Sequence, residues 1–178
     1  MRLRTAAALA GLVLLTACSG GSEPQVLPSL TPTPSASVVP VVVPPAARVH
    51  DAFGAAAFVR FYYAQFNAAL HEADASRLTG LSDPECGTCQ RYIASVNDLA
   101  HDGQKLQGIA VRVLSAEAPP EVNGFIAVDV FMDAPARVLV DSSGEIVRRL
   151  PASPRAHKTV TVKRVAAGWV LRAVKEAA

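Results

Sequence analysis

The sequence predicts an α+β domain in which N-terminal helices pack on one side of a curved antiparallel sheet. Apolar residues recur at helical spacing up to about residue 103, and the period changes to two after Gln104. Turn residues such as Gly, Pro and Asp separate the later apolar runs. Helices followed by a block of strands indicate α+β. We assign residues 51–178 to this domain, a usual length for a single domain.

The first helix is predicted over residues 51–72. Asp51 is a suitable N-cap, because its side chain can accept a hydrogen bond from the first turn. Aromatic side chains lie on one broad face of this helix, namely Phe58, Tyr62 and Phe66. Since that face should meet the sheet, these three residues are candidates for lining a pocket.

The opposite face of the first helix carries a polar stripe, which comprises Arg60, Tyr63, Asn67, His71 and Asp74. His71 and Asp74 are three residues apart, a spacing at which an acid–base pair can form. A polar helix face is usually only solvated. The pattern leaves both interpretations open.

A short helical piece is expected over residues 75–81, and a further helix is expected to start at Ser82-Asp83-Pro84-Glu85. Ser82 and Glu85 have the spacing of a capping box, and proline suits a first helical turn. This helix should end near Gly103, because glycine is common just after a helix.

Strands are predicted where apolar and polar residues alternate, over 109–116, 125–132, 137–140, 146–150, 158–165 and 169–174. In the second of these, Asp129 shares one side with Phe125 and Phe131. That side lines a cavity if it faces the helices, and it meets water if the sheet is turned the other way. Asp129 is therefore a candidate pocket carboxylate, with both orientations open.

Residues 1–17 have the features of a signal peptide. Arg2 and Arg4 form a basic start, and an apolar run up to Leu15 follows, which is shorter than the about 20 residues that span a membrane. The full chain contains 17 Lys and Arg against 15 Asp and Glu, and cleavage removes two arginines and makes the counts equal. A neutral mature chain gives no electrostatic case for nucleic acid or another polyanionic partner.

The run Leu15-Thr16-Ala17-Cys18 resembles the lipobox of bacterial lipoproteins. The resemblance implies cleavage before Cys18, a fatty acyl anchor such as palmitate on its sulfur, and a position at the outer face of the cytoplasmic membrane. The alternative is an ordinary secretory peptide followed by a chance cysteine. Residues 18–50 hold seven of the 13 prolines and are expected to be an extended linker.

The motif Cys86-Gly87-Thr88-Cys89 has three interpretations. Outside the cytoplasm a close pair of cysteines is expected to form a structural disulfide. A redox-active pair at a helix N-terminus has a lowered thiol pKa, but such a motif normally follows a strand. A zinc site needs two further ligands at suitable spacing, which the sequence does not offer. We predict a Cys86–Cys89 disulfide, no metal and no cofactor.

The order of elements resembles the cone-shaped domains of the nuclear transport factor 2 and ketosteroid isomerase superfamily. The aromatic first helix and a closing hairpin over residues 160–174, with Gly168-Trp169 at its turn, carry this likeness. The lipobox, the linker and the run Leu78-x-x-Leu81-Ser82-x-Pro84-x-Cys86-x-x-Cys89 also resemble actinobacterial lipoproteins of unknown function. The superfamily implies an apolar pocket, where the isomerases hold an aspartate base and a Tyr/Asp oxyanion pair.

We expect a non-catalytic envelope lipoprotein whose domain binds a small apolar ligand or a protein partner. Two alternatives remain open: an enzyme of the isomerase or dehydratase kind that works in a cavity, and an accessory or regulatory module for another envelope protein. A buried, partnerless carboxylate in a cavity would favour the enzyme. A packed core with an exposed apolar patch would favour partner binding.

Overall fold

The computed structural model describes residues 41–177, so the predicted signal peptide, Cys18 and the linker up to residue 40 lie outside the described residues. Within them, two helices, α1 (Ala52–Glu72) and α2 (Gly87–His101), precede all the strands. The strands are β1 (Lys105–Gln107), β2 (Arg112–Glu117), β3 (Phe125–Ala134), β4 (Arg137–Val140), β5 (Ile146–Leu150), β6 (Ser153–Val165) and β7 (Gly168–Glu176). The α+β prediction is confirmed. No helix among residues 41–177 is long and apolar enough to cross a membrane.

The strands of this region form two antiparallel sheets, where the sequence predicted one. A three-stranded sheet has the order β1-β4-β5, and a four-stranded sheet has the order β2-β3-β6-β7. The chain passes from the larger sheet to the smaller one at Pro135 and returns at Pro151. Proline has no N–H to donate, so a ladder cannot continue through either position.

The core lies between α1 and the four-stranded sheet. In β3 the predicted alternation is confirmed, with Ile126, Val128 and Val130 buried and the residues between them exposed. Their side of the sheet packs under α1, where Phe58 is fully buried. The predicted N-cap of α1 is also confirmed, because Asp51 accepts a hydrogen bond from the Gly54 N–H at 2.7 Å.

The predicted start of the second helix was wrong by one turn. Pro84 and Glu85 lie in a turn before the helix, since the Asp83 carboxylate accepts the Glu85 N–H at 2.9 Å and holds the chain there. Ser82 pairs with β7 through an isolated parallel bridge to Leu171. The α2 helix therefore starts at Gly87, and it ends at His101, close to the predicted glycine.

The predicted strand over residues 109–116 corresponds to β2 of the four-stranded sheet, and residues 109–111 lie outside that strand. The short strand β1 precedes it in the three-stranded sheet, and β2 begins only at Arg112. Gly108 lies between them with φ 105°, and a Cβ there would lie 3.1 Å from the Arg137 Cβ. Glycine is therefore needed where the chain turns from one sheet to the other.

Residues 41–50, which the sequence analysis assigned to the linker, pack against the domain, and we call them the N-terminal strap. Ala47 lies in a 3₁₀ turn (Pro45–Arg48) and is only 1% exposed. The Trp169 indole Nε1 donates to the Val49 carbonyl oxygen at 2.7 Å. The folded unit therefore includes residues that precede the predicted boundary at Asp51.

Candidate ligand-binding groove

The predicted pocket residues are distributed over different parts of the fold. Phe58 and Tyr62 are side chains of α1 that are fully buried in the core. Asp129 lies on the opposite side of the four-stranded sheet, where its side chain is 56% exposed and its Oδ1 is 3.4 Å from the His157 Nε2. Of the four candidates, Phe66 alone lines the groove described below. Because the Asp129 side chain faces solvent, it does not belong to a site beneath α1.

A groove of about 480 Å³ opens between the C-terminal halves of both helices and the three-stranded sheet. Its floor is apolar and is formed by Phe66, Leu70, Leu99, Leu106, Leu139 and Leu150. The volume lies in the range of about 300–1,000 Å³ that is typical of small-molecule sites. We refer to this feature as the groove.

The strand register explains which sheet residues reach the groove. Leu139 of β4 is paired with Leu106 of β1 on one side and with Arg148 of β5 on the other. Directly paired residues share a face of the sheet, as do residues two apart along a strand. Arg137 and its partner Leu150 therefore lie on this same face. The result is a leucine surface with two arginines at its margin.

The other wall of the groove is a face of α2. Ser95, Asp98, Leu99 and Asp102 follow at spacings of three and four residues, which places them on one side of a helix. Leu99 contributes to the floor, and the two carboxylates lie at the rim. The groove thus has an acidic margin opposite the basic margin of the sheet.

The four rim charges are not neutralised by neighbours. No ion pair among the described residues includes Arg137, Arg148, Asp98 or Asp102. The Arg137 Nη1 donates instead to backbone carbonyl oxygens of Pro135 at 3.2 Å and of Pro151 at 3.3 Å. These carbonyls orient the guanidinium but do not neutralise its positive charge, which can therefore attract an anionic group.

The groove lining contains carboxylates and a hydroxyl side chain. Its one hydroxyl side chain, Ser95, donates to the Tyr92 carbonyl oxygen at 2.8 Å. Activation of a serine requires a base within hydrogen-bond reach, and the Ser95 hydroxyl is bonded to a backbone carbonyl instead. Among residues 41–177 no cluster of three or more His, Cys, Asp or Glu side chains is placed to hold a metal ion.

The polar stripe of α1 is partly structural. Asn67 donates to the Val111 carbonyl oxygen at 2.7 Å and accepts the N–H groups of Ala110 and Val111, both at 3.0 Å. These three bonds attach the residues just before β2 to the helix. Tyr63, also in the stripe, is buried, whereas His71 is exposed. The helical pattern of the sequence could not reveal the hydrogen bonds of Asn67, because its partners lie more than 40 residues further along the chain.

The predicted Cys86–Cys89 disulfide is present in the structure, with the two Cα atoms 5.2 Å apart. Both cysteines are buried and belong to the core cluster. A redox-active pair needs an accessible sulfur, so this burial favours a structural role. The bond closes the first turn of α2 and thereby holds the helix that forms the acidic wall of the groove.

Two tyrosine hydroxyls are buried in the core. The hydroxyl oxygens of Tyr62 and Tyr63 have no hydrogen-bond partner among the described residues. Burial, and secondarily the neighbouring Tyr92, raises the pKa of both well above the usual value of about 10. Both tyrosines are therefore uncharged, and the structure indicates that their rings matter for packing more than their hydroxyls do for bonding.

Comparison with known proteins gives a fold and no family. No family model matches the sequence, and no curated protein matches it. Among solved structures, the intermembrane space region of the chloroplast protein ARC6 aligns with a TM-score of 0.54 at 13% identity, over 73% of this chain and 98% of that one. The chain shares its fold with this ARC6 region.

Two further solved structures align less well. Aln2 from a Streptomyces species has a TM-score of 0.43 at 12% identity, over 66% of this chain and 87% of its own. A scytalone dehydratase candidate from Novosphingobium aromaticivorans has a TM-score of 0.45 at 10% identity, over 67% and 82%. At these scores neither alignment carries an argument, and membership of the nuclear transport factor 2 superfamily stays a prediction.

Proposed function

We propose that the chain is an envelope lipoprotein whose domain binds a small, largely apolar ligand in the groove. The observation that carries this proposal is the leucine-rich floor of a groove of about 480 Å³ with charged side chains only at its rim. Sites for small organic ligands are usually mostly apolar, with a few polar groups that fix orientation. The cavity enzyme that the sequence left open depended on Asp129, which lies on the solvent side of the sheet.

The floor of the groove should make affinity depend on apolar length. Each buried methylene contributes about 0.8 kcal/mol, which is roughly a fourfold change in Kd. In a series of neutral alkyl alcohols we expect affinity to rise by about this factor per added carbon until the floor is covered. This dependence distinguishes a groove that buries the ligand from nonspecific adsorption at the rim.

Blocking the groove should abolish ligand binding while the fold persists. We expect Leu99→Trp to weaken binding of the neutral, environment-sensitive dye Nile red by about tenfold or more, since the indole would occupy the floor. Asn97→Trp is the matched control, because Asn97 is exposed on α2 and does not line the groove. Fluorescence titration, with circular dichroism as a check on folding, measures both variants. Equal affinities for the two folded variants would contradict the proposed site.

The proposed membrane location rests on the lipobox, and a separate experiment tests it. Cys18→Ala should abolish labelling of the chain by an alkyne analogue of palmitate, because the acceptor sulfur is removed. A Cys86→Ala/Cys89→Ala double variant is the control and should keep the label. If the Cys18 variant is labelled as strongly as the unaltered chain, the lipoprotein proposal fails, whatever the outcome at the groove.

A further inference from the structure

The opposed charges at the groove rim carry information about the ligand. We infer that the groove selects a zwitterionic ligand, whose apolar body carries one anionic and one cationic group. The inference rests on the proposed binding function, because it concerns the same groove. It depends on Arg137 and Arg148 at the sheet margin and on Asp98 and Asp102 at the helix margin.

The sheet margin is prepared for an anion. Two backbone carbonyls hold the Arg137 guanidinium through Nη1, which leaves its Nε and Nη2 donors available. Arg148 lies on the same face of the neighbouring strand, and it pairs with no carboxylate within the described part of the chain. A guanidinium that is oriented without being neutralised is a favourable partner for a carboxylate or phosphate.

The helix margin is suited to a cation. Helix stability does not explain why two carboxylates lie there. Asp98 lies in the last turn of α2, and Asp102 is the residue that caps this turn. Carboxylates at a helix C-terminus oppose the helix dipole, and like charges four residues apart repel each other. Their alignment toward the groove therefore disfavours the helix, and a bound ammonium group would relieve both repulsions.

The balance of the four charges sets the selectivity. Two positive and two negative side chains give the rim no net charge, so neither a simple anion nor a simple cation gains from the rim as a whole. An anion near the arginines is repelled across the groove by the aspartates. A cation near the aspartates is likewise repelled by the arginines. A ligand that carries both charges can satisfy both margins at once.

The test uses the folded domain and four probes that each have an eight-carbon chain, in competition with Nile red: octanol, octanoate, octylammonium and octyl dimethylglycine betaine. We expect the betaine to bind at least tenfold more tightly than either singly charged probe. Asp98→Asn should weaken betaine binding and strengthen octanoate binding. Arg148→Gln should weaken betaine binding and strengthen octylammonium binding. Arg149→Gln, on the opposite face of β5, is the control and should change none of these affinities.

The reciprocal changes for the two singly charged probes separate ligand recognition from a structural effect, which would alter all affinities together. If octanol and Nile red bind but the betaine shows no advantage, the zwitterion inference is overturned and the groove remains a binding site. If neither neutral probe binds the folded domain, the proposed function fails and the inference fails with it.

Discussion

Replacing Gly54 with alanine should detach the N-terminal strap and lower the free energy of unfolding by about 2–3 kcal/mol. A Cβ at this position would lie 1.9 Å from the Val49 carbonyl oxygen and 2.7 Å from its carbon. Because α1 is held by the core, the strap is the part that must move. Its movement breaks the hydrogen bond from Trp169 and exposes Ala47.

The single tryptophan of the chain gives a direct readout. In Gly54→Ala the fluorescence emission of Trp169 should shift to longer wavelength, because its indole loses a protein partner and meets water. Gly87→Ala is the control, since a Cβ at Gly87 meets nothing within 4 Å. Urea denaturation gives the stability of each variant. An unchanged emission spectrum and an unchanged midpoint in Gly54→Ala would show that the strap does not lie against α1 as described.

Two substitutions at Tyr62 should have opposite consequences. Tyr62→Ala removes a fully buried ring and should lower the free energy of unfolding by about 3–5 kcal/mol, as large-to-small changes in a core do. Tyr62→Phe removes only a buried hydroxyl without a partner among residues 41–177, so stability should stay the same or rise by about 1 kcal/mol. Equilibrium unfolding in urea measures both. A loss above about 1 kcal/mol in Tyr62→Phe would mean that the hydroxyl is bonded in solution.

The elements that the sequence predicted well are those set by local periodicity. The helical spacing of the aromatic residues predicted α1 within one residue, and the strict alternation in β3 divided its residues correctly between two sides. The acid at residue 51 was recognised as a cap because capping involves only neighbouring residues. The strands β4 and β5 were also predicted, since turn residues stand between two short apolar runs.

The groove could not be predicted, because its two walls meet only through long-range pairing. Leu106, Leu139 and Arg148 share a face only in the observed strand register, and no local pattern reports that register. Asp129 shows the same limit, since alternation places it on one side of β3 without saying which side meets α1. The separation into two sheets was not predicted either. It occurs at Pro135 and Pro151, which interrupt the strand ladders where the chain passes from one sheet to the other.

The strap was missed because proline-rich composition is also typical of linkers. Pro44 and Pro45 resemble the preceding residues, yet here they lead into the 3₁₀ turn that buries Ala47. The interaction that holds the strap joins Val49 to Trp169, 120 residues away. A buried indole N–H needs an acceptor, but the sequence does not show where the acceptor comes from.

The many contacts of β7 have a consequence for when this domain can fold. Besides its ladder with β6, β7 bonds the segment before α2, where the Leu171 N–H donates to Leu81 at 3.0 Å and its carbonyl accepts from Asp83 at 2.9 Å. Trp169 of the same strand secures the strap. A strand that is synthesised after the other six thus completes three earlier parts of the domain. A chain emerging in order from a ribosome therefore leaves the domain unfinished until β7 is available.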